Sequence, residues 1–253
     1  MATAYAERRV VPVRSRFYLW MAGAVTLIAF GGFLPSYWSK MAAGTFTGQP
    51  VMHLHGALFF TWTLLYFSQS ALVAAGRTPD HRRWGLFGIF LVGMMAISVP
   101  LASINEIWAA ERIGPAAGDL ARQFVAVPML ALPLVIGLFG LAIANVRRPE
   151  THKRLMLLMQ MPLLEAAAGR VTAMLADGPP GPAPGAFVTI PGALAVDLLV
   201  VVAMVHDWRT IGRVHRVFVI GLPVLLVVQF GTVAISTTPG WLAFASWLQH
   251  LVR

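Results

Sequence analysis

FVAVPMLALPLVIGLFGLAIANV, running from Phe124 to Val146, decides the fold class. No charged residue interrupts it. At 1.5 Å per helical residue it is long enough to cross a hydrocarbon core about 30 Å thick. Six other runs of this kind surround it: Phe17–Ser39, Val51–Gly76, Trp84–Ile104, Leu155–Leu175, Phe187–Val205 and Val217–Ser236. None shows the period-two polarity of membrane strands. The spacing predicts an all-α polytopic membrane protein with seven transmembrane helices.

Composition agrees. Of 253 residues, 58% are apolar and only 11% charged, against about 25% charged in ordinary soluble domains. A disordered chain, a coiled coil, a collagen and an ordinary soluble enzyme are excluded. The chain has no cysteine, which removes disulfides, thiolate catalysis, iron–sulfur clusters and cysteine-type zinc sites. Three segments follow. Residues 1–16 are a basic tail, 17–236 the seven-helix domain, and 237–253 a C-terminal segment. In that last segment Trp241, Phe244, Trp247, Leu248 and Leu251 recur near helical spacing, as in an amphipathic interfacial helix.

The formal net charge of +9 is a topology signal before it is a nucleic-acid signal. Fourteen of the 19 basic residues fall in the tail and in the connections after the second, fourth and sixth runs. These all lie on one side of a seven-helix chain. The positive-inside rule then puts the N-terminus in the cytoplasm and the C-terminus outside. No nucleic-acid partner is expected. The external connections are Asn105–Gln123, the longest and mixed in charge, and Asp177–Ala186, which contains PPGPAPG.

Ionisable groups are expensive inside a bilayer, and four stand out: His55, Glu165, Arg170 and Asp197. Their helical positions let them meet in one outer-half cavity. Two carboxylates face one arginine, so one carboxylate is protonated or paired elsewhere. Arg170 pairs with Glu165 or with Asp197, across helices in the second case. Such a pair either ties helices together or belongs to a pocket for a proton, a cofactor or a small apolar ligand such as a quinone. His55, Phe59, Trp62, Tyr66 and Gln69 follow three-to-four spacing and share one inward stripe. His53 and His55 point about 160° apart on a helix and do not chelate one ion together. No metal site is expected.

On the basic side, His81, His152 and His215 stand beside arginines or lysine. They read either as headgroup contacts or, for His81 and His152, as axial haem ligands with arginines on the propionates. The segments HLHGALFFTWTLLYFSQSALVAAGRTPDHRRWG (53–85) and RRPETHKRLMLLM (147–159) resemble a family of uncharacterised bacterial seven-helix membrane proteins. The family pattern is HxHG, then HRRxG, then HKRLM. More distantly they are similar to transmembrane b-type cytochromes, in which paired histidines hold haem. That resemblance implies haem b on His81 and His152, with His55 in a third matching position. It supplies no fourth buried histidine to partner His55. The expectation is a redox-associated membrane protein that binds haem b and takes part in electron transfer. Two alternatives stand beside it. One is a non-enzymatic subunit, assembly factor or scaffold of a membrane complex with other membrane-protein subunits. The other is a proton-coupled small-solute transporter using Glu165 and Asp197.

Overall fold

A computed structural model describes residues 16–177 and 185–251. Arg8, Arg9 and Arg14 of the basic tail, and most of the proline-rich connection, lie outside the described residues. Within them the chain is helical and has no strand. Helices α1 (Phe17–Gly32), α2 (Ser39–Ala42), α3 (Pro50–Ala74), α4 (Thr78–Glu111) and α5 (Pro115–Phe124) come first. Then follow α6 (Ala126–Ala144), α7 (Pro149–Asp177), α8 (Ile190–Ile211), α9 (Arg216–Ser236) and α10 (Pro239–His250). A π turn over Leu34–Trp38, carrying Pro35, joins α1 to α2. Six stretches are long and apolar enough to cross a membrane, among them Phe17–Ala42, Thr78–Glu111 and Pro115–Ala144.

The fifth apolar run lies in α7 and falls outside those six. The reason is its polar content: Gln160, Glu165 and Arg170. Its position explains how that content is tolerated. α7 packs against α1, α6, α8 and α9, so protein surrounds it. Leu157, Met159 and Met161 are fully buried, and Gln160 and Glu165 nearly so. A helix shielded from lipid carries polar groups without solvating them in hydrocarbon.

Glycines let the neighbours close on α7. A Cβ on Gly192 of α8 would stand 2.4 Å from the Gly169 nitrogen, and one on Gly32 of α1 would stand 2.4 Å from the Ala167 oxygen. Both contacts meet backbone, which has no rotamer to escape through. This is the small-residue packing by which membrane helices approach closely. Gly192→Ala should therefore cost about 1–3 kcal/mol of stability through forced overpacking. Gly137→Ala on α6, where a Cβ meets nothing within 4 Å, should cost none of it. Thermal unfolding of the two variants side by side checks this.

At the basic end, Arg154 and Asp207 are 2% and 0% exposed. Arg154, one of the basic residues in the connection after the fourth run, is therefore not a headgroup contact. Its Nε donates to Asp207 Oδ2 at 2.8 Å, and its Nη2 donates to Asp207 Oδ1. Nη1 donates to the Glu150 carbonyl and carboxylate, each at 2.7 Å. The backbone N–H of His215 adds a bond to Asp207 Oδ2 at 3.2 Å. Helices α7 and α8 and the turn into α9 are thereby tied at one point. Gly212, at φ +70°, closes α8 in the left-handed conformation and lets the chain reverse there.

Glu150 lies outside the apolar runs. Burial pushes its pKa up, but hydrogen bonds and charge from Arg154 and Lys153 outweigh that and leave it below its ordinary value. A depressed carboxylate stabilises the fold above its unfolded pKa and loses that contribution as pH falls through its folded pKa. The difference in melting temperature between wild type and Glu150→Gln should accordingly shrink as the buffer is taken down through the carboxylate range.

At the opposite end, the segment Asn105–Gln123 is mostly helical. α4 continues to Glu111 and α5 follows after Gly114. The C-terminal amphipathic stretch is α10. Trp241, Ala245 and Leu248 are buried against protein, while Phe244 and Trp247 face outward. Its docking is also polar: Trp241 Nε1 donates to the Arg122 carbonyl at 2.7 Å, and Gln249 bonds both Arg122 and Glu111.

Candidate functional site

Helices α1, α3, α4, α6 and α7 line a cavity of about 360 Å³. Its volume is in the range of small-molecule sites, about 300–1,000 Å³. Its walls are mainly apolar and aromatic, with Phe33, Phe59, Phe60 and Trp62 prominent. The polar residues His55, Glu106 and Arg170 belong to the end of the bundle away from the basic turns. His55 comes early in α3, while Glu106 and Arg170 come late in α4 and α7. Antiparallel chain direction brings the three to one level.

Each polar group is set by its neighbours. His55 Nδ1 lies 3.1 Å from Ser98 Oγ, and Ser98 Oγ donates its single hydrogen to the Met95 carbonyl at 2.9 Å. Nδ1 must therefore carry the hydrogen and donate to Ser98. The Nε2 lone pair is left to accept from something else. Trp62 Nε1 donates to Gln160 Oε1 at 3.1 Å, and Gln160 Nε2 donates to the Met156 carbonyl at 2.9 Å. This fixes the indole as a wall of the cavity.

Arg170 pairs with neither Glu165 nor Asp197, contrary to expectation. Its Nη1 donates to the Ala166 carbonyl at 2.7 Å, and the guanidinium lies 4.4 Å from the Phe33 ring centre. Among the described residues no carboxylate is within ion-pair distance of it. The carboxylate whose field reaches it is Glu106. Chain geometry gives the reason. Arg170 is five residues past Glu165, so it points away from the α8–α9 side and into the cavity.

His55, Trp62, Glu165 and Arg170 all line the cavity. Asp197 does not. It stands on α8, 4% exposed, on the far side of Glu165. His53 turns away from His55 and meets the Tyr37 hydroxyl at 3.0 Å. Glu106 and Gln160 are polar residues of the site that the sequence reading does not single out. Glu106 was hidden in what reads as an external loop, although INEIWAAE continues the helical run. Gln160 gives no signal in the sequence, because an uncharged amide costs far less to bury than a charge.

His81 and His152 do come together at the basic end. Their ring centres are 6.3 Å apart with planes at 77°. His152 Nδ1 lies 2.8 Å from the Ala142 carbonyl, so Nδ1 carries the hydrogen and Nε2 its lone pair. His81 Nδ1 is buried with no hydrogen-bond partner. A metal bound by one nitrogen of each ring at about 2 Å would hold the ring centres about 6 Å apart. Imidazole nitrogens at this separation would suit a metal held between the two rings. Neither histidine lines the main cavity. Comparison with family models, with curated proteins and with solved structures finds no match for this chain.

Proposed function

We propose that this chain is a seven-crossing protein of a bacterial inner membrane, N-terminus inside and C-terminus outside, that binds a small apolar ligand with a polar head. A quinone is the ligand class that fits. The observation that carries the reading is the cavity: aromatic walls with a donor and two acceptors grouped at one end. Arg170 donates to a quinone carbonyl. His55 Nε2 and Glu106 accept from the hydroxyls of the reduced quinol. Trp62 and Phe59 supply ring surface for the head. The seventh crossing is α7, whose polar residues are screened by its neighbours. The orientation follows from the basic turns at one end.

The test is a titration of the protein in nanodiscs with a short-chain ubiquinone, followed by tryptophan fluorescence. Saturable quenching is expected, with smaller amplitude in Trp62→Phe. Quenching that rises linearly with quinone, in wild type and variant alike, would mean partition into lipid and would sink the reading.

The separation of His81 and His152 favours a second reading, haem b held at the basic end. Haem would supply one-electron transfer. The chain's own part is to present one nitrogen from each ring, with the Ala142 carbonyl orienting His152. Its signature is a Soret band with sharp reduced α and β bands, lost in His81→Ala and His152→Ala. A featureless spectrum in protein made with ample haem would remove it.

A further inference from the structure

Behind the main cavity, α7, α8 and α9 bring two carboxylates to one amide. Gln229 Nε2 donates to Glu165 Oε1 at 3.0 Å. Asp197 lies alongside the same amide and in the field of Glu165. All three side chains are buried: Glu165 and Gln229 are 6% exposed and Asp197 4%. Yet Asp197 Oδ1, Asp197 Oδ2 and Gln229 Oε1 have no hydrogen-bond partner. Beside Glu165 and Gln229 is a small void of about 10 Å³, lined also by Thr189 and Thr232 among others. That is the lower limit of room for a single water. Glu165 lines this void and the main cavity alike.

The hydrogen inventory is short of donors. Three buried acceptors here lack partners, and among the described residues the donors beside them are the amide NH₂ of Gln229 and the single hydroxyl of Thr232. Among the described residues that line the void there is no cation. From α8 comes Asp197, from α9 Gln229 and Thr232, and from the turn at Ala186–Thr189 comes Thr189, whose hydroxyl is spent on the Ala186 carbonyl. α6 presents only Val127, Ala131 and Leu134 to the void. On α7 itself, Arg170 faces Phe33 and the Glu106 side. Two ionised carboxylates in such a place are strongly disfavoured.

We propose that Glu165, Gln229 and Asp197 form a site for one dissociable proton, carried by either carboxylate according to which way the Gln229 amide is turned. With the amide as described, Gln229 Nε2 donates to ionised Glu165 and protonated Asp197 donates to Gln229 Oε1. With the amide flipped, protonated Glu165 donates to Gln229 Oε1 and Nε2 donates to ionised Asp197. Both arrangements satisfy the amide with the same number of hydrogen bonds and differ only in where the proton sits. One proton is taken up and none is made or consumed within the trio, so it titrates as a property of the pair. Exchange with the outside runs through Glu165, which reaches the main cavity. The inference stands whatever occupies that cavity.

Infrared spectroscopy of the protein in nanodiscs, in sodium-free choline chloride buffer at neutral pH, tests it. A protonated-carboxyl carbonyl band is expected in wild type. It should disappear in Glu165→Gln and in Asp197→Asn, because the remaining carboxylate then finds amide donors and needs no proton. It should survive in Glu106→Gln. Gln229→Leu should keep the band but shift it, since the proton loses its acceptor. If one isosteric variant fails to fold, the other and the Gln229→Leu shift still decide. Absence of the band in folded wild type would overturn the proposal. So would its persistence in both carboxyl variants, or its removal by sodium chloride, which would assign the site to a metal cation.

Discussion

Asp207→Ala should destabilise the protein by about 3–5 kcal/mol, the range for removing one partner of a buried ion pair. Asp207 is fully buried, and it takes two hydrogen bonds from Arg154 and one from the His215 backbone. Truncating it strands the Arg154 guanidinium, 2% exposed, with only Glu150 as a partner. Asp207→Asn keeps the shape but not the charge and should fall between. The double variant Arg154→Met, Asp207→Leu removes both charges and should recover most of the loss, because the cost lies in the abandoned charge more than in the pair itself. Melting temperatures of the four proteins in nanodiscs check this. Asp207→Ala melting with wild type would show that the tie contributes nothing.

Arg170→Gln should weaken quinone binding about 10- to 100-fold, the worth of a hydrogen bond to a charged group of about 1.5–3 kcal/mol. The fold should survive. Arg170 makes no ion pair among the described residues, and its one hydrogen bond goes to a carbonyl one turn back on its own helix. A structural arginine would behave in the opposite way, as Arg154 does. The contrast separates the roles: Arg154 variants should lose stability first, and Arg170 variants should lose ligand first at nearly unchanged melting temperature. The fluorescence titration and the melt, run on the same sample, read both. A large drop in stability for Arg170→Gln with unaltered quinone affinity would reassign Arg170 to helix packing.

The membrane helices were legible because hydropathy and length are properties of contiguous residues. Phe124–Val146 is helical over most of its length whatever lies beside it, since hydrocarbon leaves its backbone no other partner. The inward stripe of α3 was legible for the same reason: His55, Phe59 and Trp62 follow helical period, and all three line the cavity. The opposed directions of His53 and His55 also follow from the turn of one helix. Local spacing could not choose partners. Arg170 has two carboxylates within plausible reach by depth, yet the rotation of α7 aims it at Phe33 and the Glu106 side, and Glu165 goes to Gln229 instead. Arg154 and Asp207 are separated by 53 residues, and in sequence each is an ordinary charge near a helix end.

Sequence alone therefore determined the solvent this protein is built for, the runs that form its helices, and which side chains are costly to bury. These are one-dimensional quantities, read from composition and from the period of a single helix. Tertiary structure decided that α7 is the central helix, that Glu106 joins the cavity, and that Gln229 stands between two carboxylates. Those outcomes depend on how far each helix is rotated about its axis and which neighbour it meets. Backbone contacts such as Gly192 on Gly169 set that rotation, and they exist only once the helices have packed.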